Sequence, residues 1–293
     1  MTVDPMAAEL LRSLPLLSAL SPADARAADV RRVQEWTAWA VGPPVTVVPA
    51  VLGGVPVEVV EPVGGGPDLP TVVWCHGGGW VVGSPSTYRL PVARLAAGCQ
   101  ARVVSVDYRL APEHPFPAGL DDCWAVVSAL PGPAAVAGDS GGGNLAAALT
   151  LRALSEGVPL SAQLLVYPSV SLVRGWPSWT EFAADGGLPM ADSDWFCLSY
   201  VPEGVDPSDP LVSPYEAPSL AGLPPAVVLV AEADPLRDGG LAYAERLAVD
   251  GVDVITLVAE GQVHGFLHMP SVPRAVVAED AAHAAFRVLL HPG

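Results

Sequence analysis

Eight short segments rich in Val, Ile and Leu recur along the chain and predict the strands of a β-sheet. Most of the later segments are apolar throughout, without the alternation typical of a half-exposed strand. Strands of this kind suit a sheet that is covered by helices on both faces. The eight segments are VTVVPAV from Val45, VEVVE from Val57, TVVWC from Thr71, RVVSVDY from Arg102, AAVAG from Ala134, QLLVYP from Gln163, AVVLVAE from Ala226 and VDVITLVAE from Val252.

Segments of helical character lie between these strands, so that strand and helix alternate along the chain. This alternation is typical of a mainly parallel sheet with flanking helices. We therefore predict an α/β fold with an eight-stranded, mainly parallel sheet. The predicted helices cover 90–97, 120–130, 144–156, 241–249 and 275–290.

Two regions depart from the alternation and predict a cap over the carboxyl edge of the sheet. Residues 1–43 are amphipathic and helical with proline breaks, and residues 171–212 are rich in Trp, Pro, Asp and Gly, with one helix expected near 191–200. On this division, residues 44–170 form the first part of a catalytic domain and residues 213–293 form its second part.

Composition limits the possible partners of the chain. Its 293 residues, 51% of them hydrophobic, are enough for a large core. The formal charge of −17 argues against nucleic acid and anionic membrane partners, because phosphate binding needs clustered cations. The sequence contains no lysine, which excludes Schiff-base chemistry and a phosphate-loop lysine.

The cysteines and the N-terminus predict a cytoplasmic protein. The cysteines are widely spaced without a C-x-x-C pair, so we expect free thiols and no zinc or other metal site. The N-terminus lacks the basic segment of a signal peptide, and no apolar run is long enough to span a bilayer. The cysteines are Cys75, Cys99, Cys123 and Cys197.

A serine stands in a glycine-rich turn between a predicted strand and a predicted helix. The segment Gly138-Asp139-Ser140-Gly141-Gly142 matches the pattern G-x-S-x-G, whose strained turn presents a serine as a nucleophile. The alternatives are a flexible Gly-Ser loop or a phosphate cradle, and the missing G-K-[ST] pattern removes the cradle. The context of strand, turn and helix favours a nucleophile at Ser140.

A second glycine-rich turn, WCHGGGW, follows the strand that begins at Thr71. Backbone N–H groups can converge on an anion where no Cβ blocks the approach, so three consecutive glycines suit an oxyanion hole. In proteins with a serine elbow, the residue after the nucleophile, here Gly141, supplies another N–H group. The alternative is a structural glycine turn around His76.

A serine nucleophile needs a base and an orienting acid. His264 follows the last predicted strand, and this position agrees with the chain order Ser, acid, His of serine hydrolases with a nucleophile elbow. His268 is the nearest competitor of His264 for the role of base. The acid is expected after the preceding strand. Asp234 directly follows that strand, and its rivals are Glu232 and Asp238.

Six motifs together resemble the hormone-sensitive-lipase family of bacterial esterases (family IV), in its branch with the motif G-D-S-A-G. They run in the family's order from the first third of the chain to its end, so the resemblance covers the whole catalytic domain. The motifs are HGGGW from His76, DYRLAPEHPFPA from Asp107, GDSGGGN from Gly138, DPLVSPYEA from Asp209, DPLRD from Asp234 and HGF from His264.

The resemblance implies an α/β-hydrolase fold with a helical cap, no cofactor, and hydrolysis of small esters with short- to medium-chain acyl groups. It assigns Ser140 as nucleophile, His264 as general base and acid, and Asp234 as the residue that orients the imidazole. Structural roles are expected for Asp107, Arg109 and Glu113, since the family uses their motif to hold loops near the site.

The same resemblance assigns the oxyanion hole to the N–H groups of Gly78, Gly79 and Gly141. The chain departs from the family at Gly141, where alanine is usual, and this glycine is expected to loosen the turn. It departs again at Ser169–Ser171, where the family often has an acidic residue after the Tyr-Pro pair.

Aromatic residues near these motifs are candidates to line the substrate pocket, although packing of the cap on the core is the alternative for each of them. The candidates are Trp80, beside the glycine turn, and Trp195 and Phe196 in the predicted cap. By analogy with the family alone, a homodimer through the edge strand at 252–258 is one expected arrangement.

Two other functions remain open from the sequence. An amidase or deacetylase would use the same nucleophile and oxyanion hole, so the residues alone do not separate amide from ester hydrolysis. A small-molecule receptor on the same fold would lack the histidine in its motif, and the presence of His264 disfavours it.

Overall fold

Eight strands form one sheet in the computed structural model, which describes residues 3–12, 14–173 and 175–292. The strands are β1 Val45–Leu52, β2 Val55–Pro62, β3 Thr71–Cys75, β4 Arg102–Val106, β5 Ala134–Asp139, β6 Leu160–Val166, β7 Ala226–Ala233 and β8 Val254–Val263. Their order across the sheet is β1-β2-β4-β3-β5-β6-β7-β8. β2 pairs antiparallel with both neighbours, and all pairs from β4 to β8 are parallel.

The sheet confirms the predicted fold class, and each of the eight predicted segments forms a strand. The main difference is at the last strand, which continues beyond the predicted end at Glu260 to Val263. The pairing of β7 with β8 shifts register between Ala231 and Ala233, and Ala233 then pairs with Val263. As a result, β7 and β8 end side by side.

Helices cover both faces of the sheet, as expected for a parallel sheet of apolar strands. Within the described residues the α-helices are α1 Pro5–Leu11, α2 Pro22–Thr37, α3 Arg89–Cys99, α4 Ala118–Ser128, α5 Ser140–Glu156, α6 Ser178–Glu181, α7 Met190–Tyr200, α8 Arg237–Val249 and α9 Pro273–Leu290. Helices α3 and α9 pack on one face, in a core that includes Leu95 and Phe286. Helices α4, α5 and α8 pack on the other, in a core that includes Leu120, Leu149 and Leu247.

Helix α5 begins at Ser140, four residues before the predicted start at Asn144. Glycine costs about 1 kcal/mol in a helix relative to alanine, so propensity places the start after the glycines 141–143. All three glycines are buried in the structure. Close packing of this first turn against the sheet therefore overrides the local preference.

Helix α7 and the segment between α1 and α2, which lie outside the alternation of strand and helix, contact each other. The carboxylate of Asp192 in α7 accepts the backbone N–H groups of Leu17 and Ser18, at 3.2 and 2.8 Å. Phe196 and Tyr200 of the same helix are buried in the core that also holds α5. The N-terminal helices and the segment containing α7 are thus joined above the sheet.

The residues of the Asp107 motif bind neighbouring elements through their side chains. Arg109 donates to the carboxylate of Asp122 in α4, with a shortest distance of 2.8 Å. Glu113 accepts two hydrogen bonds from Arg26 of α2, at 2.9 and 2.6 Å. These contacts connect the loop to α4 and α2.

Among the helices of the described residues, none combines the length and the apolar character that crossing a membrane requires.

Candidate active site

The carboxyl ends of four parallel strands bring the predicted site residues to one edge of the sheet. Ser140 follows β5, Asp234 follows β7, His264 follows β8 and the glycine turn follows β3. In open α/β sheets, ligands bind outside the carboxyl ends of the strands. These residues lie far apart in the sequence and meet because their strands are neighbours or near neighbours in the sheet.

Ser140 occupies a strained turn between β5 and α5. Its φ of 53° lies in the left-handed region, which costs a residue other than glycine about 1–3 kcal/mol. Glycine at position 142 is required by the packing of this turn, since a Cβ there would lie 2.1 Å from the carbonyl oxygen of Cys75. The turn therefore has the geometry that the G-x-S-x-G pattern predicts.

Ser140, His264 and Asp234 form a continuous hydrogen-bonded chain. The Ser140 Oγ lies 2.8 Å from His264 Nε2, and His264 Nδ1 lies 2.8 Å from Asp234 Oδ2. Asp234 is fully buried, and its Oδ1 accepts the backbone N–H of Leu236 at 2.7 Å. A fixed carboxylate at Nδ1 leaves Nε2 as the acceptor for the serine proton.

The rival acids have other partners. Glu232 accepts the backbone N–H of Gly261 at 2.8 Å, close to the end of β8. Asp238 accepts the backbone N–H of Ser178 at 2.9 Å and so holds the start of α6. Of the three acids considered from the sequence, only Asp234 contacts His264.

The glycine turn after β3 lies against the turn at Ser140. A Cβ built on Gly141 would lie 3.3 Å from the backbone nitrogen of Gly79, so the N–H groups of both turns are close neighbours. Gly79 has a φ of 56°, and any side chain there would collide with the ring of Phe196 at 2.2 Å. Gly78 and Gly79 also line the cavity that contains Ser140.

The buried carboxylate of Asp139 is hydrogen-bonded to the glycine turn. Asp139 Oδ1 accepts the N–H of Gly77 at 2.7 Å, and Oδ2 accepts the hydroxyls of Tyr88 and Tyr167 at 3.0 and 3.3 Å. Burial raises the pKa of Asp139 to about 6, although these hydrogen bonds oppose the rise. Asp139, which directly precedes the nucleophile candidate Ser140, is thereby hydrogen-bonded to the turn that carries Gly78 and Gly79.

The other two histidines close to the site are buried and uncharged. His76 stacks on Tyr108, with ring centroids 4.2 Å apart, and burial lowers its pKa to about 4. His268, the competitor of His264, makes an edge contact with Tyr88, and burial lowers its pKa to about 3. The Ser140 hydroxyl is bonded to His264, and His268 contributes instead to the wall of the same cavity.

The cavity at Ser140 has a volume of about 80 Å³ and adjoins a larger one of about 450 Å³. The smaller cavity reaches the sheet edge at Asp139 and Ser140, whereas the larger one is lined by residues from the ranges 8–32 and 184–192. Residues shared by the walls of the two cavities are Leu11, Leu14, Leu17, Arg32, Gly187, Pro189 and Asp192. The small chamber therefore continues into the larger one past the N-terminal helices and the loop before α7.

The aromatic candidates divide between this cavity and the core. Phe196 lines the chamber beside Ser140. Trp80 is buried and stacks on Tyr200 with centroids 4.2 Å apart, and Trp195 packs against Phe196 and the core. Neither Trp80 nor Trp195 is among the described residues that line the cavity at Ser140.

Sequence reasoning missed the polar residues that α2 contributes to the cavity. Asp29, Arg32 and Trp36 all line it, at the spacing i, i+3 and i+7 that places side chains on one face of a helix. That spacing was the available signal, but charged residues on an N-terminal helix are more often solvent-exposed. Throughout the described ranges, no group of three or more His, Cys, Asp or Glu residues is arranged to hold a metal ion.

Several proteins with similar sequences or structures are esterases. The α/β-hydrolase fold family matches residues 72–268. The carboxylesterase NlhH of Mycobacterium tuberculosis is 44% identical over 257 residues, which cover 82% of this chain and 80% of that protein. An arylesterase of Saccharolobus solfataricus is 39% identical over 70% of this chain and 71% of that protein. A thermostable esterase of Pseudomonas putida superposes with a TM-score of 0.92 at 31% identity, covering 100% of this chain and 99% of the other.

Proposed function

The chain belongs to the hormone-sensitive-lipase family of α/β-hydrolase carboxylesterases, and on that premise we propose that Ser140, His264 and Asp234 are its catalytic triad. Its reaction is the hydrolysis of carboxylic esters. The observation that carries the proposal is the hydrogen-bonded chain Ser140–His264–Asp234, with both distances at 2.8 Å.

In the first half of the proposed mechanism, the serine becomes acylated. His264 Nε2 accepts the hydroxyl proton of Ser140 while Oγ attacks the ester carbonyl carbon, and the carbonyl oxygen becomes an oxyanion. The bond from carbon to the leaving oxygen then breaks, and protonated His264 gives its proton to that oxygen, which releases the alcohol. The buried Asp234 carboxylate stabilises the imidazolium between these steps.

In the second half, water replaces the serine. His264 accepts a proton from water as the water oxygen attacks the acyl-enzyme, and it returns a proton to Ser140 Oγ when the acid leaves. We propose that the N–H groups of Gly78, Gly79 and Gly141 bind the oxyanion in both halves, because the two glycine turns lie together at the nucleophile. This mechanism requires no cofactor.

The proposed substrates are small esters with short- to medium-chain acyl groups. The chamber of about 80 Å³ at Ser140 limits the bulk that fits beside the nucleophile, and the adjoining cavity of about 450 Å³ offers space for a longer group. Rates on p-nitrophenyl esters from acetate to dodecanoate should therefore peak at a short or medium chain and fall at the longest.

Substitution of the proposed triad tests the assignment. Ser140→Ala removes the nucleophile and should lower kcat by about 10⁴–10⁶-fold, and Asp234→Asn should lower it by about 10⁴-fold because the imidazole tautomer is no longer fixed. The measurement is the steady-state rate of p-nitrophenyl butyrate hydrolysis by variants whose thermal unfolding matches that of the wild type.

Asp238→Asn is the matched control. Its amide oxygen can still accept the N–H of Ser178, so kcat should stay within about tenfold of wild type. A loss at Asp238 as large as that at Asp234, or full activity in Ser140→Ala, would refute the proposed triad.

We propose that residues 1–43 and 171–212 form a cap and that the remainder is the catalytic domain. The contacts of Asp192 with Leu17 and Ser18, which join the two segments above the site, support this division.

A homodimer through the edge of β8, which exposes Ile255 and Val258, also stays a prediction, as does the cytoplasmic location. Light scattering on wild type and on Val258→Arg would test the dimer, which the variant should dissociate.

A further inference from the structure

Helix α2 places a charged pair on the wall of the catalytic cavity. Asp29 and Arg32 face the chamber together with Ser140 and His264, and Arg32 also lines the adjoining cavity. The Arg32 guanidinium lies over the ring of Trp36, 5.5 Å from its centroid, and donates from Nη2 to Asp29. The ring and the carboxylate hold the guanidinium in a fixed position where the two cavities join.

Two polar atoms on this wall have no hydrogen-bond partner. Arg32 Nε and His268 Nδ1 are both buried, and no acceptor or donor of the described residues satisfies either one. Buried polar groups in folded proteins nearly always have a partner, and an exception calls for an explanation such as a catalytic role or a bound molecule. Both residues line the chamber of Ser140, so a bound molecule can supply the missing partner.

The charges around this wall argue against an anionic partner. Asp29 is buried and neutralises Arg32 as its ion-pair partner. The carboxylates of Asp192 and Asp139 line the same chamber, and the whole chain carries a formal charge of −17. A substrate carboxylate would be repelled by these carboxylates, and the described residues of the chamber wall offer no cation besides the paired Arg32. An uncharged oxygen can still accept a hydrogen bond from the guanidinium.

We propose that Arg32 is a specificity-determining residue that donates a hydrogen bond to an uncharged oxygen of the substrate, away from the scissile ester. The preferred substrates are then esters that carry a second polar group, such as a ketone or a second carbonyl. His268 lies at the same wall and offers a second hydrogen-bonding nitrogen to that group. This inference rests on the proposed function, because it concerns the same cavity and the same reaction.

Matched pairs of esters test the proposal by following acid release at constant pH. In the acyl series, methyl 4-oxopentanoate is compared with methyl pentanoate, and in the alcohol series 4-oxopentyl acetate is compared with pentyl acetate. Each pair differs by a carbonyl in place of one methylene. Monomethyl succinate adds a carboxylate of similar size as the anionic comparison.

In the wild type we expect kcat/KM for the oxo ester to exceed that of its all-carbon partner in at least one series. Arg32→Met should reduce this preference by about tenfold or more, the range expected for a hydrogen bond to a charged donor. Arg31→Met, on the exposed side of the same helix, should leave the preference unchanged.

A second variant distinguishes the loss of the Arg32 hydrogen bond from a loss of the folded structure. Arg32→Met alone leaves Asp29 as a buried, unpaired carboxylate, whereas Asp29→Asn combined with Arg32→Met removes both charges. Both variants should hydrolyse methyl pentanoate or pentyl acetate while losing the preference for the oxo ester.

Three results would overturn the inference. They are equal rates for oxo and all-carbon esters in both series, a preference that survives both variants, and a preference for monomethyl succinate that is lost in Arg32→Met. The first would mean that water alone satisfies the unpaired atoms. Failure of the proposed function looks different, since all-carbon esters would then not be hydrolysed through Ser140 at all.

Discussion

Two adjacent glycines in the turn at Ser140 differ in the space around them. A methyl group on Gly142 would lie 2.1 Å from the carbonyl oxygen of Cys75 and 2.4 Å from that of His76, both in the backbone. A methyl group on Gly141 would lie 3.2 Å from Gly79 Cα, a tight contact that a small shift relieves. The turn therefore requires glycine at 142 and tolerates alanine at 141.

We predict that Gly142→Ala lowers the free energy of unfolding by more than about 3 kcal/mol and abolishes hydrolysis. Gly141→Ala should change the free energy of unfolding by less than about 1 kcal/mol, because the gain in helix propensity offsets the tight contact. This variant should keep measurable activity. Urea unfolding of both variants beside wild type measures the difference. Equal losses in the two variants would contradict this account of the turn.

At the residue scale, motif spacing selected Ser140, Asp234 and His264, and the structure brings their side chains into hydrogen-bond contact. The G-x-S-x-G pattern and the positions after strands carry that information, because the chemistry restricts the residue types. The contribution of Asp29 and Arg32 could not be found in this way. Their importance comes from the packing of α2 over the sheet edge, which no local pattern specifies.

At the scale of elements, one arginine of α2 binds the loops that follow β3 and β4. Arg26 donates from Nε to the carbonyl of Val81 at 2.9 Å and from Nη2 to that of Ala111 at 2.9 Å, in addition to its two bonds with Glu113. Because α2 forms a wall of the catalytic cavity, its position bears directly on substrate binding.

We predict that Arg26→Met raises KM by about three- to tenfold with a smaller effect on kcat, since the wall loosens while the triad stays in place. The melting temperature should fall by about 2–6 °C, which corresponds to the loss of 1–2 kcal/mol in a chain of this size. Arg31→Met, exposed on the same helix, should change neither quantity. A fall in kcat with unchanged KM in Arg26→Met would count against this role of α2.

The sequence predicted the strands better than the helix ends. All eight strands were recognisable as runs rich in Val, Ile and Leu, and most of the later ones are apolar throughout because they lie in the parallel part of the sheet. Helix α5, in contrast, begins earlier than propensity indicates. Its start at Ser140 depends on the contact of three glycines with the sheet. Helix α7 at 190–200 was close to its expected range, but its contact with Leu17 and Ser18 depends on tertiary packing.

At the scale of the whole molecule, a buried carboxyl group links stability to pH. Glu279 of α9 lies between α9 and α3, with Oε2 2.9 Å from Arg94 Nε. Burial raises its pKa to about 8, although the Arg94 guanidinium opposes the rise. An unfolded glutamate titrates near 4.5, so the folded protein holds a proton that the unfolded chain releases above that pH.

We predict that the contribution of Glu279 to the free energy of unfolding is fully present below pH 4.5 and is lost as the pH rises toward 8. Glu279→Gln cannot titrate, so its free energy of unfolding should rise relative to wild type between pH 5 and pH 9, by the order of a few kcal/mol. Urea unfolding of both proteins at the two pH values gives the comparison. A difference that does not change with pH would contradict the raised pKa.

Covalent labelling is the sharpest test of Ser140 as the nucleophile. Intact-mass spectrometry and peptide mapping after treatment with a fluorophosphonate would be carried out on folded wild type and on Ser140→Ala. If Ser140 is the nucleophile, one adduct per chain forms, located at Ser140 and absent from the variant. An adduct on another residue, or none on folded and active enzyme, would contradict it.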